Sequence, residues 1–145
     1  MDKIDSQILA LLHENARMPV AEIGRTIAMT QPAVTERMRK LEEQGIIEGY
    51  KAILSSKKLG KDVTAFVLFK TSNCLDFQGF CMQSSDVIEL YRISGEYNFM
   101  MKIITASMES LATFLDSCSP HGFSSTLIVL SAAIENKRMV ADNVD

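Results

Sequence analysis

The chain has 145 residues, 47% of them hydrophobic and 23% charged, with a formal net charge of -3. That length holds one ordinary domain or two small ones, and the composition excludes a disordered chain. Its apolar runs are too short for a bilayer span, and the early acids of Met1-Asp2-Lys3-Ile4-Asp5 argue against a signal peptide, so a cytoplasmic location is expected.

Ile4, Ile8, Leu11 and Leu12 predict a first helix from Asp2 to about Asn15, with Asp2 or Asp5 suited to its positive end. Met18-Pro19 interrupts, and a short second helix follows from about Val20 to Ile27. Ala28-Met29-Thr30-Gln31 predicts a tight turn with Thr30 as N-cap. A third helix runs from about Gln31 to Gln44, with Pro32 tolerated in its first turn and Gly45 closing it. Two helices joined through a short turn and braced by a third match helix-turn-helix geometry, over about 20–39. Ile46 to Leu54 predicts a short strand or wing, and Ser55-Ser56-Lys57-Lys58 a linker, so a boundary is expected near Gly60.

The second half changes period. Strands are expected at Val63–Thr71, Val87–Ser94, Tyr97–Thr105 and Thr126–Ile134, the last of them buried, with a hairpin at Gly95-Glu96. Helices are expected from Leu75 to Gln83 and around Met108 to Leu115, ending near Ser119-Pro120. The order βαββαβ is the ferredoxin-like split motif. The fold class is therefore α+β: a winged helix-turn-helix over 1–60, a ferredoxin-like domain over 61–135, and a polar tail over 136–145.

Charge is unevenly placed: nine Lys/Arg against eight Asp/Glu through Gly60, and six against ten from Lys61 onward. At about 100° per residue, Val34, Met38 and Leu41 mark the buried side of the third helix. Pro32, Thr35, Glu36, Arg39, Lys40 and Glu43 fall opposite, with Gln31 at the N-terminal end and Arg37 on a flank. Arg39 suits a guanine, Thr35 a thymine methyl and Glu36 a cytosine amine. Arg25, Arg37, Lys40 and Lys51 suit phosphates. Periodicity alone fits a merely solvated amphipathic helix equally well; the turn and flanking helix favour double-stranded DNA.

Three cysteines, Cys74, Cys81 and Cys118, form neither a disulfide framework nor a zinc site and read as small core residues. His13 and His121 lie far apart, so no metal, cofactor or nucleophile constellation is expected. The nine methionines read as core filling, with a Met-lined pocket as the alternative.

The run AVTERMRKLEEQGII, Ala33 to Ile47, resembles the recognition helix and exit of the Lrp/AsnC (leucine-responsive/asparagine, feast/famine) regulators. Asp2-Lys3-Ile4-Asp5 with the Ile/Leu-rich helix after it, and Arg17, are similar to the start of that family, and the βαββαβ half is similar to its regulatory domain. The resemblance implies dimers formed through the C-terminal sheets, often octamers, and amino-acid effectors between C-terminal domains. It assigns the family's Gly-any-aromatic-acid motif to Gly95, Glu96, Tyr97 and Asn98. Asn98 departs from the usual Asp: Glu96 compensates, the ligand differs, or no amino acid is sensed. Ala28 stands where the family often has Gly.

What the resemblance implies is a sequence-selective, effector-modulated transcriptional regulator associated with the nucleoid, not an enzyme. An architectural DNA-bending protein is the alternative. A few similar proteins are tetrapyrrole decarboxylases, and that chemistry would fall to His121 or Arg92 here. A ligand-sensing protein that no longer binds DNA is the remaining option, and the presence of Arg39 weighs against it.

Overall fold

Three helices open the chain: α1 (Lys3–Glu14), α2 (Val20–Thr26) and α3 (Gln31–Glu43). The computed structural model describes residues 1–137 and 139, so residues 138 and 140–145 of the tail expected over 136–145 lie outside the described residues. Among the described residues, no helix is long and apolar enough to cross a membrane.

α1 begins with a capping box, in which the Asp2 carboxylate accepts from the Asp5 N–H and the Asp5 carboxylate from the Asp2 N–H, each at 2.9 Å. Two donors that the helix leaves unpaired are thereby satisfied. The predicted stripes converge on one small core of Ile8, Leu12, Ile23, Val34 and Leu41, with Ile4, Ile27 and Met38 packed around it. The α2–α3 turn is tight. The Met29 N–H donates to the Gly24 carbonyl at 2.8 Å, and Ala28 takes the left-handed region at φ 55, which costs a non-glycine residue about 1–2 kcal/mol. A β-carbon on Gly24 would lie 2.6 Å from the Met29 carbonyl oxygen. Thr30 stands at the N-cap of α3, but its side chain makes no capping bond. Gly45, at φ 69, ends α3 as predicted, and the Ile46 and Ile47 N–H groups return to the Leu41 carbonyl.

The wing expected over Ile46–Leu54 is corrected: no residue from 46 to 54 is in a strand, and Ile53 and Leu54 are 77% and 69% exposed. The segment alternates only loosely, and among the described residues no strand pairs with its backbone groups.

A four-stranded antiparallel sheet follows, built from β1 (Val63–Lys70), β2 (Val87–Arg92), β3 (Phe99–Thr105) and β4 (Phe123–Ile128) in the order β2-β3-β1-β4. α4 (Cys74–Gln83) and α5 (Met108–Cys118) supply the crossovers, giving the βαββαβ order read from the sequence. Alternation sends Ala65, Val67, Phe69, Phe99, Met101 and Ile103 into a core with Phe77, Cys81, Leu111, Phe114 and Cys118. Phe69 and Phe77 stack there at 4.0 Å. The chain thus forms two compact units, one containing Met1–Ile53 and the other spanning Leu54–Ala133.

Two strand expectations are corrected. The last strand was expected buried over Thr126–Ile134, but it runs over Phe123–Ile128 along an edge of the sheet, with Leu127 54% exposed. Its ladder ends because Ile128 already faces Ala65 near the start of β1, and one more bond joins the Val129 N–H to the Thr64 carbonyl. The central hairpin is also looser than a two-residue turn at Gly95-Glu96, since β2 stops at Arg92 and β3 starts at Phe99.

Gly24→Ala is expected to destabilise the helical unit by about 1–3 kcal/mol, because backbone must yield to the new methyl group. Urea unfolding followed by helical circular dichroism measures this; an unchanged midpoint would mean that the turn is not held by that contact.

Candidate functional site

With Val34 and Leu41 seated in the core, α3 turns Gln31, Pro32, Thr35, Glu36, Arg39, Lys40 and Glu43 to solvent. Arg25 is exposed in the last turn of α2, and Lys51 in the irregular segment after α3. The sequence-predicted face is therefore assembled on one helix, with Arg25 and Lys51 outside it.

Arg37 is placed otherwise. Its Nη1 donates to Asp2 Oδ2 and Asp5 Oδ1, both at 2.7 Å. The same two carboxylates cap α1, so a single guanidinium ties the start of α1 to the flank of α3. The Asp5 backbone N–H and then Arg37 hold the Asp2 carboxyl below its usual range, and the hydrogen bonds that Arg37 donates to Asp2 and Asp5 raise its own pKa. Sequence reading placed Arg37 on a flank but missed its partners, which lie 35 and 32 residues away.

Arg39 is held within its own helix. Its Nε and Nη2 donate to the two oxygens of Glu36 at 2.9 and 2.6 Å, and Nη1 donates to Glu43 Oε1. Glu36, then Glu43, raise the Arg39 pKa. Lys40 lies farther off, with its Nζ 3.8 Å from Glu36. The Tyr50 hydroxyl donates to Glu42 at 2.7 Å and fastens the exit segment to the end of α3.

In the second unit, Gly95 takes φ 114 and has open space where a β-carbon would stand. Glu96 is exposed, and Tyr97 and Asn98 are partly buried. The Asn98 amide is committed within the chain. Its Oδ1 accepts from the Thr71 N–H at 3.0 Å, and its Nδ2 donates to the Thr71 carbonyl at 2.8 Å. The Asn98 N–H donates to the Phe69 carbonyl as well. A side-chain amide closes both bonds at once; a carboxylate accepts the first and cannot donate the second. This accounts for asparagine at 98 without a ligand.

His121 follows α5 in a short 3-10 turn. Its Nδ1 lies 2.9 Å from Asp76 Oδ2, and its ring packs 4.6 Å from that of Phe80. It thus pins α4 to the chain after α5. Among the described residues, no group of His, Cys, Asp and Glu is arranged to hold a metal.

Comparison with known proteins fits this arrangement. The pattern of the AsnC-type helix-turn-helix domain matches residues 1–42, and that of the Lrp/AsnC ligand binding domain matches residues 64–139. The chain belongs to the Lrp/AsnC family. It is a helix-turn-helix transcriptional regulator with a ligand-binding domain. It is similar to YezC, an uncharacterised HTH-type transcriptional regulator of Bacillus subtilis, at 40% identity over 92% of this chain and 96% of that protein. LrpB of the same organism is 36% identical over 84% and 83%. The solved structure of Bacillus subtilis LrpC superposes with a TM-score of 0.89 at 33% identity, covering 94% of this chain and 99% of that one. The L-Met complex of the regulator NMB0573 from Neisseria meningitidis shares the fold, with a TM-score of 0.90 at 22% identity over 96% of each chain.

Within this Lrp/AsnC chain, Asn98→Asp is expected to destabilise the sheet unit by about 1–3 kcal/mol, because one bond to Thr71 is lost and a carboxylate is set beside its carbonyl. Thermal unfolding checks this, and equal stability would show that the Thr71 contacts carry little.

Proposed function

We propose that this regulator reads double-stranded DNA through the exposed face of α3, that it acts as a dimer or larger assembly, and that a small effector tunes it. The observation that carries the reading is the division of α3: Val34 and Leu41 are locked in the core, so the helix is rigidly mounted, while Gln31, Pro32, Thr35, Glu36 and Arg39 face outward. A recognition helix presents base-reading groups from its N-terminal half in this way. Lys40, Arg25 and Lys51 serve phosphates, which makes binding salt-dependent. Arg37, bound to Asp2 and Asp5, serves the placement of α3 instead. Binding of this kind places the protein on the nucleoid and requires no enzymatic step.

Support for self-assembly comes from the sheet. α4 and α5 cover one face only, and on the other Phe66 and Leu127 are paired neighbours, as are Leu68 and Met100. Exposed apolar pairs of this kind, set beside Lys102, call for a partner, and a second copy of the chain supplies a matching face. The effector is an amino acid at the Gly95–Asn98 loop; the ligand-binding domain assignment and the L-Met complex of a protein with the same fold support this. Gly95, Glu96 and Tyr97 would make the contacts, since Asn98 is occupied by Thr71.

The test begins by selecting duplexes from a random-sequence pool with the wild-type protein. Arg39→Ala is expected to lower the affinity ratio between a selected duplex and its shuffled counterpart about tenfold, with assembly mass unchanged. An unchanged ratio would remove Arg39 from base reading. Light scattering at micromolar concentration is expected to show a dimer or larger, and a stable monomer would end the sheet-pairing proposal.

A further inference from the structure

We propose that Glu36 aims Arg39, so that this carboxylate, and not the arginine alone, sets the sequence selectivity of α3. The inference rests on the reading of α3 as the base-contacting helix. A guanidinium has two edges that offer a pair of parallel N–H donors, one formed by Nε and Nη2, the other by Nη1 and Nη2. Glu36 takes the first edge with both of its oxygens. Glu43 touches only Nη1, on the second.

The division has a consequence for DNA. A guanine presents two acceptors, O6 and N7, to a two-donor edge. The Nη1–Nη2 edge meets them if the single bond to Glu43 is given up, while the double bond to Glu36 stays and fixes the guanidinium plane. Glu43 therefore stands where a base acceptor would stand, and Glu36 acts as a brace behind it. The spacing suits this division: Glu36 is one turn before Arg39, toward the end of the helix that meets bases, and Glu43 is one turn after it.

Without the brace, a long side chain that is half exposed sweeps many rotamers and finds phosphates of any sequence. Selective contact then carries an ordering cost that the brace otherwise removes in advance. The neutralised arginine also adds nothing to non-selective attraction, whereas a freed one does. Glu36 is thus a positioning residue that works in both directions: it favours the correct base and withholds a charge from the backbone.

The experiment uses the full-length protein, a duplex selected by it from a random pool, and the shuffled duplex, in fluorescence-anisotropy titrations across a salt series. Glu36→Gln keeps the length of the side chain and loses its charge; Glu36→Asp keeps the charge and is too short to bridge both nitrogens. Each is expected to lower the selected-to-shuffled affinity ratio about tenfold. With Glu36→Gln, the salt slope on the shuffled duplex should steepen by roughly 0.9, the value for one added phosphate contact. In an Arg39→Ala background neither change should move the ratio further, as coupling through one group requires. The proposal is overturned if Glu36→Asp keeps the wild-type ratio, or if either variant has its full effect without Arg39. Failure of the wild-type protein to select any duplex would instead remove the base-reading role of α3, and the inference with it.

Discussion

Gly24 and the Met29 carbonyl approach each other more closely than a β-carbon permits, and the mounting of α3 depends on that approach. The Met29 N–H closes the turn on the Gly24 carbonyl, and Ala28 accepts a left-handed backbone to make the reversal. Val34 then drops against Gly24 within the shared core. Everything outward on α3 inherits its direction from this packing, including the face that carries Arg39. The tie from Arg37 to Asp2 and Asp5 secures the same helix to α1 from its flank. A core of five buried side chains is small for a unit that must hold a helix against DNA, and the charged brace adds directional hold that apolar contact lacks.

Local patterns explain what was legible in the sequence. The 3.6-residue stripes of Ile4-Ile8-Leu11 and Val34-Met38-Leu41 gave both helices and their inner faces, and Gly45 gave the end of α3. The βαββαβ order followed from the change of period at Val63. Where legibility ended, the missing information was non-local. Residues 46–54 alternate like a strand, yet strand identity belongs to a pair, and among the described residues of the chain none pairs with them. The extent of β4 was set by where β1 begins, not by its own apolar run beyond Ile128. Asn98 was compared with an absent ligand because its real partner, Thr71, lies across the sheet in another strand's exit. The Glu36–Arg39–Glu43 spacing is plain in the sequence, but which guanidinium nitrogens each carboxylate takes depends on side-chain geometry that spacing does not carry.

The two units solve different problems of exposure. The helical unit buries its apolar stripe internally and shows a charged surface in which acids and bases largely neutralise each other. The sheet unit covers one face with α4 and α5 and leaves on the other a mixed surface, where Phe66, Leu68, Met100 and Leu127 lie beside Lys102 and Ser125. A net charge of -3 therefore does not conflict with the base-reading role proposed for α3, because selectivity of that kind rests on the placement of single groups and not on a field of positive charge.

The thiols beneath the sheet carry a chemical consequence. Burial pushes Cys81 up to about 11 and Cys118 up to about 12, the latter helped by its neighbour Cys81. At neutral pH both therefore stay almost wholly in the thiol form. A thiolate, not a thiol, attacks peroxides and other electrophiles, so these two sulfurs are chemically silent while the fold is closed. Their reactivity reports opening of the core: slow labelling of Cys81 and Cys118 is a clock for the breathing of the sheet unit, built into the chain without an added probe.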